Sequence, residues 1–266
     1  MNFPNRIICL TEETTEILYE LGAEDLIVGI SGYTVRPKRA RKEKPRVSAF
    51  SSAKIDKIIE LKPDLVLGFS DIQSDICSEL IKNGINVLCF NQRSVEEILN
   101  VIKLLGRIIN KANKAEDYAE KIKIKMDQIS DLSYKFQFKP KVYFEEWNDP
   151  LITGIKWVSE LIEIAGGIDI FKNKSFEPLA SNRIIKNPST IVKENPDIII
   201  GSWCGKKLKK EEIICRDGWD KINAVRNNQV YEIKSPLILQ PGPAALTDGL
   251  DEIFKIILKW ENFITS

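Results

Sequence analysis

Three carboxylates, Glu145, Glu146 and Asp149, stand in one short stretch, where they could ligate a hard cation or take part in proton transfer. Strand alternation argues against a shared site. Adjacent strand residues point to opposite faces, so Glu145 parts from Glu146, and a calcium- or magnesium-type shell needs more oxygen donors than the stretch holds. Glu146 alone, at a strand end beside Trp147, is placed to hydrogen-bond an amide or hydroxyl of a bound molecule. Histidine is wholly absent. With it go the commonest general base and metal ligand, His-containing triads and HExxH zinc sites. The five cysteines, Cys9, Cys77, Cys89, Cys204 and Cys215, are widely spaced and form no CxxC pair, so neither a zinc ribbon nor a disulfide framework is predicted and a reducing compartment is expected. Cys204, in Gly201-Ser202-Trp203-Cys204-Gly205, could offer a thiolate to a soft metal, but a small packed cysteine is the plainer expectation. The glycines form neither GxGxxG nor GxxxxGK[ST], which leaves nucleotide cradles unsupported. No catalytic residue, metal ligand or intrinsic cofactor is predicted.

The elements that must position these groups are legible in the apolar spacing. Short β-branched runs at 6–10, 26–30, 65–68 and 86–90 predict strands, and apolar residues three and four apart predict helices over 14–21, 55–61, 75–83 and 95–109. From 110 to 134 the chain has neither Gly nor Pro and repeats apolar residues at Ile122, Met126 and Ile129, which predicts one long helix. It ends before Lys139-Pro140-Lys141. A second alternating set follows, with strands at 142–145, 197–201 and 229–233 and a closing helix over 244–260.

An internal repeat sets the architecture. Ile55-Asp56-Lys57-Ile58-Ile59-Glu60-Leu61-Lys62-Pro63-Asp64-Leu65-Val66-Leu67-Gly68 recurs, shifted by 133, as Pro188-Ser189-Thr190-Ile191-Val192-Lys193-Glu194-Asn195-Pro196-Asp197-Ile198-Ile199-Ile200-Gly201. Each copy spells a helix stopped at a proline, then a buried strand, then an aromatic, Phe69 or Trp203. The expected fold is therefore α/β: two Rossmann-like lobes with parallel sheets, residues 1–109 and 139–266, joined by one long backbone helix within 110–138, with a ligand cleft between the lobes. Ligands of open parallel sheets sit beyond the carboxyl ends of the strands, which selects the loops at 11–15, 31–33, 49–52 and 69–71 in the first lobe. In the second it selects 145–147, 179–181, 202–205 and 239–241. These loops hold Tyr33, Phe50, Phe69, Trp147 and Trp203, a lining suited to a large, flat, partly apolar ligand.

Composition narrows the partners. Lys plus Arg (39) and Asp plus Glu (38) nearly cancel, so no overall field is available to hold nucleic acid. The basic segment at 36–46 lacks interleaved aromatics and reads as a solvated loop near the ligand edge. No apolar window is long enough to span a membrane, so direct insertion is not expected. The apolar stretch Ile7-Ile8-Cys9-Leu10 is shorter than a signal-peptide core, so the sequence as it stands predicts a cytoplasmic protein, or a periplasmic or surface-anchored one if a leader has been removed.

Taken together, these residues resemble the class III substrate-binding proteins, the helical-backbone metal receptor group, whose members bind cobalamin, haem or ferric siderophores. The likeness runs along nearly the whole chain, from Thr14-Thr15-Glu16-Ile17 to Leu21-Gly22, through Val28-Gly29-Ile30-Ser31, to Gly84-Ile85-Asn86-Val87. Glu146-Trp147-x-Asp149-Pro150, Trp157-Val158-x-Glu160-Leu161, Ala165-Gly166-Gly167, Gly218-Trp219-Asp220 and Gln240-Pro241-Gly242-Pro243 resemble the cobalamin-binding branch. The resemblance implies a non-enzymatic receptor for a corrinoid or similar bulky metal chelate. Phe50, Phe69, Trp147, Trp157 and Trp203 would then give apolar contact, and Thr11, Tyr33, Glu146 and Lys156 polar contact. Lys156 stands where many relatives have histidine, which removes axial coordination but leaves an ammonium for a phosphate or carboxylate. The family's two transporter-docking carboxylates fall at Asp56 and Ser189, of which only Asp56 is acidic; this weakens docking to an ABC-transporter permease and favours an intracellular receptor, carrier or sensor. The alternatives are a tetrapyrrole- or chelate-handling enzyme on the same scaffold and a regulatory module without ligand.

Overall fold

The computed structural model describes residues 3–266. The chain forms two compact units, one of Met1–Gln92 with Glu96–Lys121 and the other of Arg93–Val95 with Ile122–Ser266.

The first unit is built on β1 (Ile7–Cys9), β2 (Ile27–Ser31), β3 (Arg46–Ser48), β4 (Leu65–Phe69) and β5 (Val87–Phe90), all parallel, in the order β3-β2-β1-β4-β5. Around them lie α1 (Glu12–Glu20), α2 (Ala40–Glu43), α3 (Ile55–Glu60), α4 (Ser74–Lys82), α5 (Val95–Ile108) and the start of α6 (Ala112–Ser133). Ile7, Ile8, Cys9 and Leu10 have no exposed surface, as a central parallel strand covered on both faces requires. The strand order reverses between β1 and β4, and a crevice at the carboxyl ends of such a pair is where open α/β sheets take ligands. The sequence reading missed β3. Its three residues carry no alternating run, and only pairing with β2 makes them a strand.

The second unit holds β6 (Lys141–Asn148), β7 (Leu151–Thr153), β8 (Ile168–Asp169), β9 (Ile198–Gly201) and β10 (Val230–Glu232), with α7 (Lys156–Ile164), α8 (Lys172–Ser175), α9 (Ser189–Glu194), α10 (Lys210–Ile214), α11 (Asn223–Arg226), α12 (Ser235–Ile238) and α13 (Leu250–Thr265). The order is β10-β9-β6-β7, parallel except for the β6–β7 hairpin, and β8 pairs with the start of β6. The closing helix opens with a π turn over Ala245–Gly249. Gly249 is required there, because a Cβ would lie 2.3 Å from the Leu237 carbonyl oxygen.

The repeat in the sequence is a repeat of local structure. Lys62 and Asn195 both adopt positive φ, 45° and 50°, to end α3 and α9. The carboxylates two residues on, Asp64 and Asp197, then accept backbone N–H groups at the entry to the central strands, from Arg6 at 3.0 Å and Lys141 at 2.9 Å. The long helix was expected to be a separate connector over 110–138. Instead the boundary falls within α6, so that Ala115 and Ala119 are buried in the first unit and Ile122, Met126 and Ile129 in the second.

Candidate functional site

In the first unit the carboxyl edge is organised by a side chain just beyond the predicted loop. Gln73 is fully buried; its Oε1 accepts the Phe69 N–H at 2.9 Å, and its Nε2 donates to the carbonyls of Phe50 (3.0 Å) and Leu10 (3.3 Å). One amide thus ties the ends of β1 and β4 to the Phe50 loop, across the point where the strand order reverses. Its only sequence signal was its place in Asp71-Ile72-Gln73-Ser74. Ser70, beside it, is held at φ 59° and accepts the Ile72 N–H on its hydroxyl.

The first turn of α1 is acidic and buried. Glu12, Glu13 and Glu16 are 8%, 1% and 6% exposed. Glu16 is paired with Arg36 at 2.8 Å. Burial, reinforced by the neighbouring carboxylates, pushes Glu12 up to about 8, and burial pushes Glu13 up to about 7 against the hydrogen bond from Thr11. That bond, 2.6 Å from the Thr11 hydroxyl to Glu13, occupies a side chain expected to face ligand, and Thr11 is itself 2% exposed.

In the second unit β6 sorts its carboxylates as alternation demands. Glu145 has no exposed surface and accepts hydrogen bonds from the Tyr143 hydroxyl (3.1 Å), Trp203 Nε1 (3.0 Å) and both terminal nitrogens of Arg216 (2.5 and 2.9 Å). Glu146 faces the other way, where both its oxygens take Nη2 of Arg183 at 2.7 Å. Arg183 is 2% exposed and also donates to the Thr153 carbonyl at 3.2 Å. Burial raises the Glu146 carboxyl, offset by Arg183 and, more weakly, by Arg93. The expected role of Glu146 as a lone acceptor for ligand is therefore corrected. It is half of an ion pair in which one guanidinium nitrogen faces both carboxylate oxygens, and Arg183, two residues past the predicted 179–181 loop, was missed because an isolated arginine has no spacing to betray it.

Trp157 and Trp203 correct the expected aromatic wall. Trp203 is 2% exposed in the core with Tyr143, Trp219 and Ile199, and Trp157 is 4% exposed with its indole N–H on the Ile238 carbonyl at 2.9 Å. Phe69 is buried as well. A buried indole needs its N–H satisfied, and each tryptophan finds that partner inside its own unit. Solvent reaches Tyr33, Phe50, Trp147, Glu146 and Lys156. Trp147 is half-buried over the β6–β7 turn, with its N–H on the Asp149 carbonyl at 2.8 Å. Lys156 opens α7, 3.8 Å from Glu160 and 5.7 Å from the Phe176 ring centre, in a pocket of about 160 Å³ also lined by Ser159, Glu163, Lys172 and Ser175. Cys204 is exposed rather than packed. Two cations of the basic loop are paired on their own unit, Arg36 with Glu16 and Arg39 with Glu24 and Glu43. Among the described residues no cluster of three or more Cys, Asp or Glu could hold a metal ion, and no helix is long and apolar enough to cross a membrane.

Two α/β units, one sheet wholly parallel and the other mainly so, each with polar and aromatic groups gathered at its carboxyl edge, agree with what comparison with known proteins finds. The sequence profile of the periplasmic binding protein family matches residues 7–237. The chain belongs to that family. The family is one of binding proteins rather than of enzymes. The chain is 28% identical to an uncharacterised ABC transporter substrate-binding lipoprotein of Bacillus subtilis, over 96% of this chain and 80% of that protein. It is 26% identical to a vitamin B12-binding protein of Vibrio parahaemolyticus, over 91% and 85% of the two chains. Among solved structures, a possible iron-binding (periplasmic solute-binding) protein of Staphylococcus epidermidis superposes with a TM-score of 0.80 at 26% identity, covering 96% of this chain and 99% of that one. None of these comparisons supports a cytoplasmic location.

Proposed function

We propose that this periplasmic binding protein captures a corrinoid, or a metal chelate of similar bulk, at the carboxyl edges of its sheets and delivers it to an ABC-type permease outside the cytoplasm. The observation that carries the reading is the partly exposed indole of Trp147 over the β6–β7 turn, at the same strand end where the Glu146–Arg183 ion pair occupies the other face. An accessible aromatic face suits a flat ring system, and a charge-assisted pair at the same strand end suits its amide or carboxylate substituents. Tyr33 and Phe50 offer similar surface on the other unit, and Lys156 offers an ammonium for a phosphate or carboxylate arm. The vitamin B12-binding relative supports the corrinoid, and the lipoprotein relative supports permease delivery. Asp56, exposed in the first turn of α3, remains the acidic docking candidate; Ser189 occupies the matching place at the start of α9 without a charge.

Titration with cobalamin, cobinamide, haem and a ferric siderophore, followed by tryptophan fluorescence, tests this. Saturable quenching by a corrinoid is expected, and Trp147→Ala should weaken it on the order of ten- to a hundredfold in a variant that still unfolds cooperatively, at a somewhat lower temperature. Saturation by haem or the siderophore instead would move the ligand within the chelate class. No response to any of the four would overturn the reading.

A further inference from the structure

We propose that Cys77 and Cys89 form a reversible dithiol–disulfide pair, oxidised by a small disulfide and reset by a dithiol. Cys77 lies on the buried face of α4, and Cys89 is an exposed residue of β5 directly opposite Gly68 of β4. Both sulfurs converge on that glycine: a Cβ at position 68 would lie 3.2 Å from Sγ of Cys77 and 3.8 Å from Sγ of Cys89. The missing side chain is the space in which the two thiols meet, and they interact with each other there. The remaining cysteines are placed differently, since Cys9 is fully buried in β1 while Cys204 and Cys215 are exposed residues of the second unit.

The chemistry closes with a low-molecular-weight disulfide such as oxidised glutathione as two-electron oxidant. The accessible Cys89 thiolate attacks one sulfur of that disulfide, forms a mixed disulfide and expels one glutathione thiolate. Cys77, as thiolate, then attacks the Cys89 sulfur and expels the second. The protein gains one S–S bond and loses two protons and two electrons, and two molecules of glutathione thiol result. Burial pushes the Cys89 thiol up to about 11, helped by Cys77, so the attacking thiolate is scarce near neutrality and the rate should rise about tenfold per pH unit between 7 and 9. The Cys89 thiol also points to the Ser70 carbonyl at 3.7 Å. Oxidation removes that donor and fastens α4 to β5 beside the turn carrying Phe69 and Ser70, so the redox state is registered at the carboxyl edge of the first sheet.

The whole protein is equilibrated with oxidised glutathione, blocked with N-ethylmaleimide, digested without reduction and mapped by mass spectrometry. The expected product is a Cys77–Cys89 cross-linked peptide, two hydrogens lighter than the dithiol and returned to it by dithiothreitol. Cys77→Ser should instead leave glutathione on Cys89. Should that variant not fold, a Cys204→Ser, Cys215→Ser double variant, which keeps the pair, must still give the cross-link. Wild-type protein ending with glutathione retained on Cys89, or with Cys77 and Cys89 both labelled by N-ethylmaleimide, would overturn the proposal.

Discussion

Arg183 is the residue on which the second unit's edge depends. A guanidinium that is 2% exposed cannot shed its charge, so its stability rests on Glu146, whose two oxygens lie 2.7 Å away. Glu146→Gln keeps the shape and removes the charge, and should destabilise the protein by about 3–5 kcal/mol in urea unfolding. A loss below about 1 kcal/mol would mean that water already screens Arg183. Glu12 and Glu13 make the opposite demand on pH. Their folded values of about 8 and about 7 stand above the ordinary 4.5, so the native state holds these protons more tightly than the unfolded chain. The resulting stability is complete below pH 4.5 and is lost as pH rises through 7 and 8, with a slope of at most about 1.4 kcal/mol per pH unit per group. Urea unfolding at several pH values should show that fall, and Glu12→Gln should flatten it. An equal slope in the variant would place the titration elsewhere.

At the scale of elements, close packing of α5 on α6 depends on the absence of one side chain. A Cβ at Gly106 would lie 2.2 Å from the Cβ of Ala115, so Gly106→Ala must push the helices apart and should destabilise by about 1–3 kcal/mol in chemical unfolding. Exchanging the pair, Gly106→Ala with Ala115→Gly, should recover part of the loss; no recovery would show that the strain lies elsewhere, for instance at the Lys111 carbonyl 3.1 Å away. The start of α5 has its own support: the Val95 N–H, one that no helical carbonyl can reach, donates to Glu160 of α7 at 2.7 Å. The Arg93 carbonyl in turn accepts the Trp157 N–H at 3.0 Å. These two bonds give a physical reason why residues 93–95 count with the second unit although the helix they lead into belongs to the first.

For the whole molecule, a bound chelate should act by mass action. At a free concentration about a hundred times Kd it should add about 2.7 kcal/mol to stability, read as a shift in thermal or urea unfolding, whereas a compound that quenches fluorescence without any such shift is not bound to the native state. A net charge of +1, with Arg36 and Arg39 of the basic loop paired internally, also implies little long-range attraction. The association rate of an anionic chelate should therefore vary by less than about threefold between low and physiological salt.

The α/β class, the repeat of Pro63-Asp64 in Pro196-Asp197, the long helix and the carboxyl-edge loops were all legible in the chain, because each is written in local spacing: periodicity, breakers and apolar runs. Family resemblance added an expected ligand class, and the profile match established the family. Tertiary structure decided which edge residues meet solvent. Trp147 and Trp203 look alike as aromatics just past strand ends, yet one is half-buried over a turn and the other is sealed by Glu145 and the core. Gln73 and Arg183 gain their roles from partners as distant in sequence as Leu10 and Glu146, and Cys77 meets Cys89 only because Gly68 leaves room. Such groupings are made when strands pair and helices pack, and no spacing along the chain encodes them.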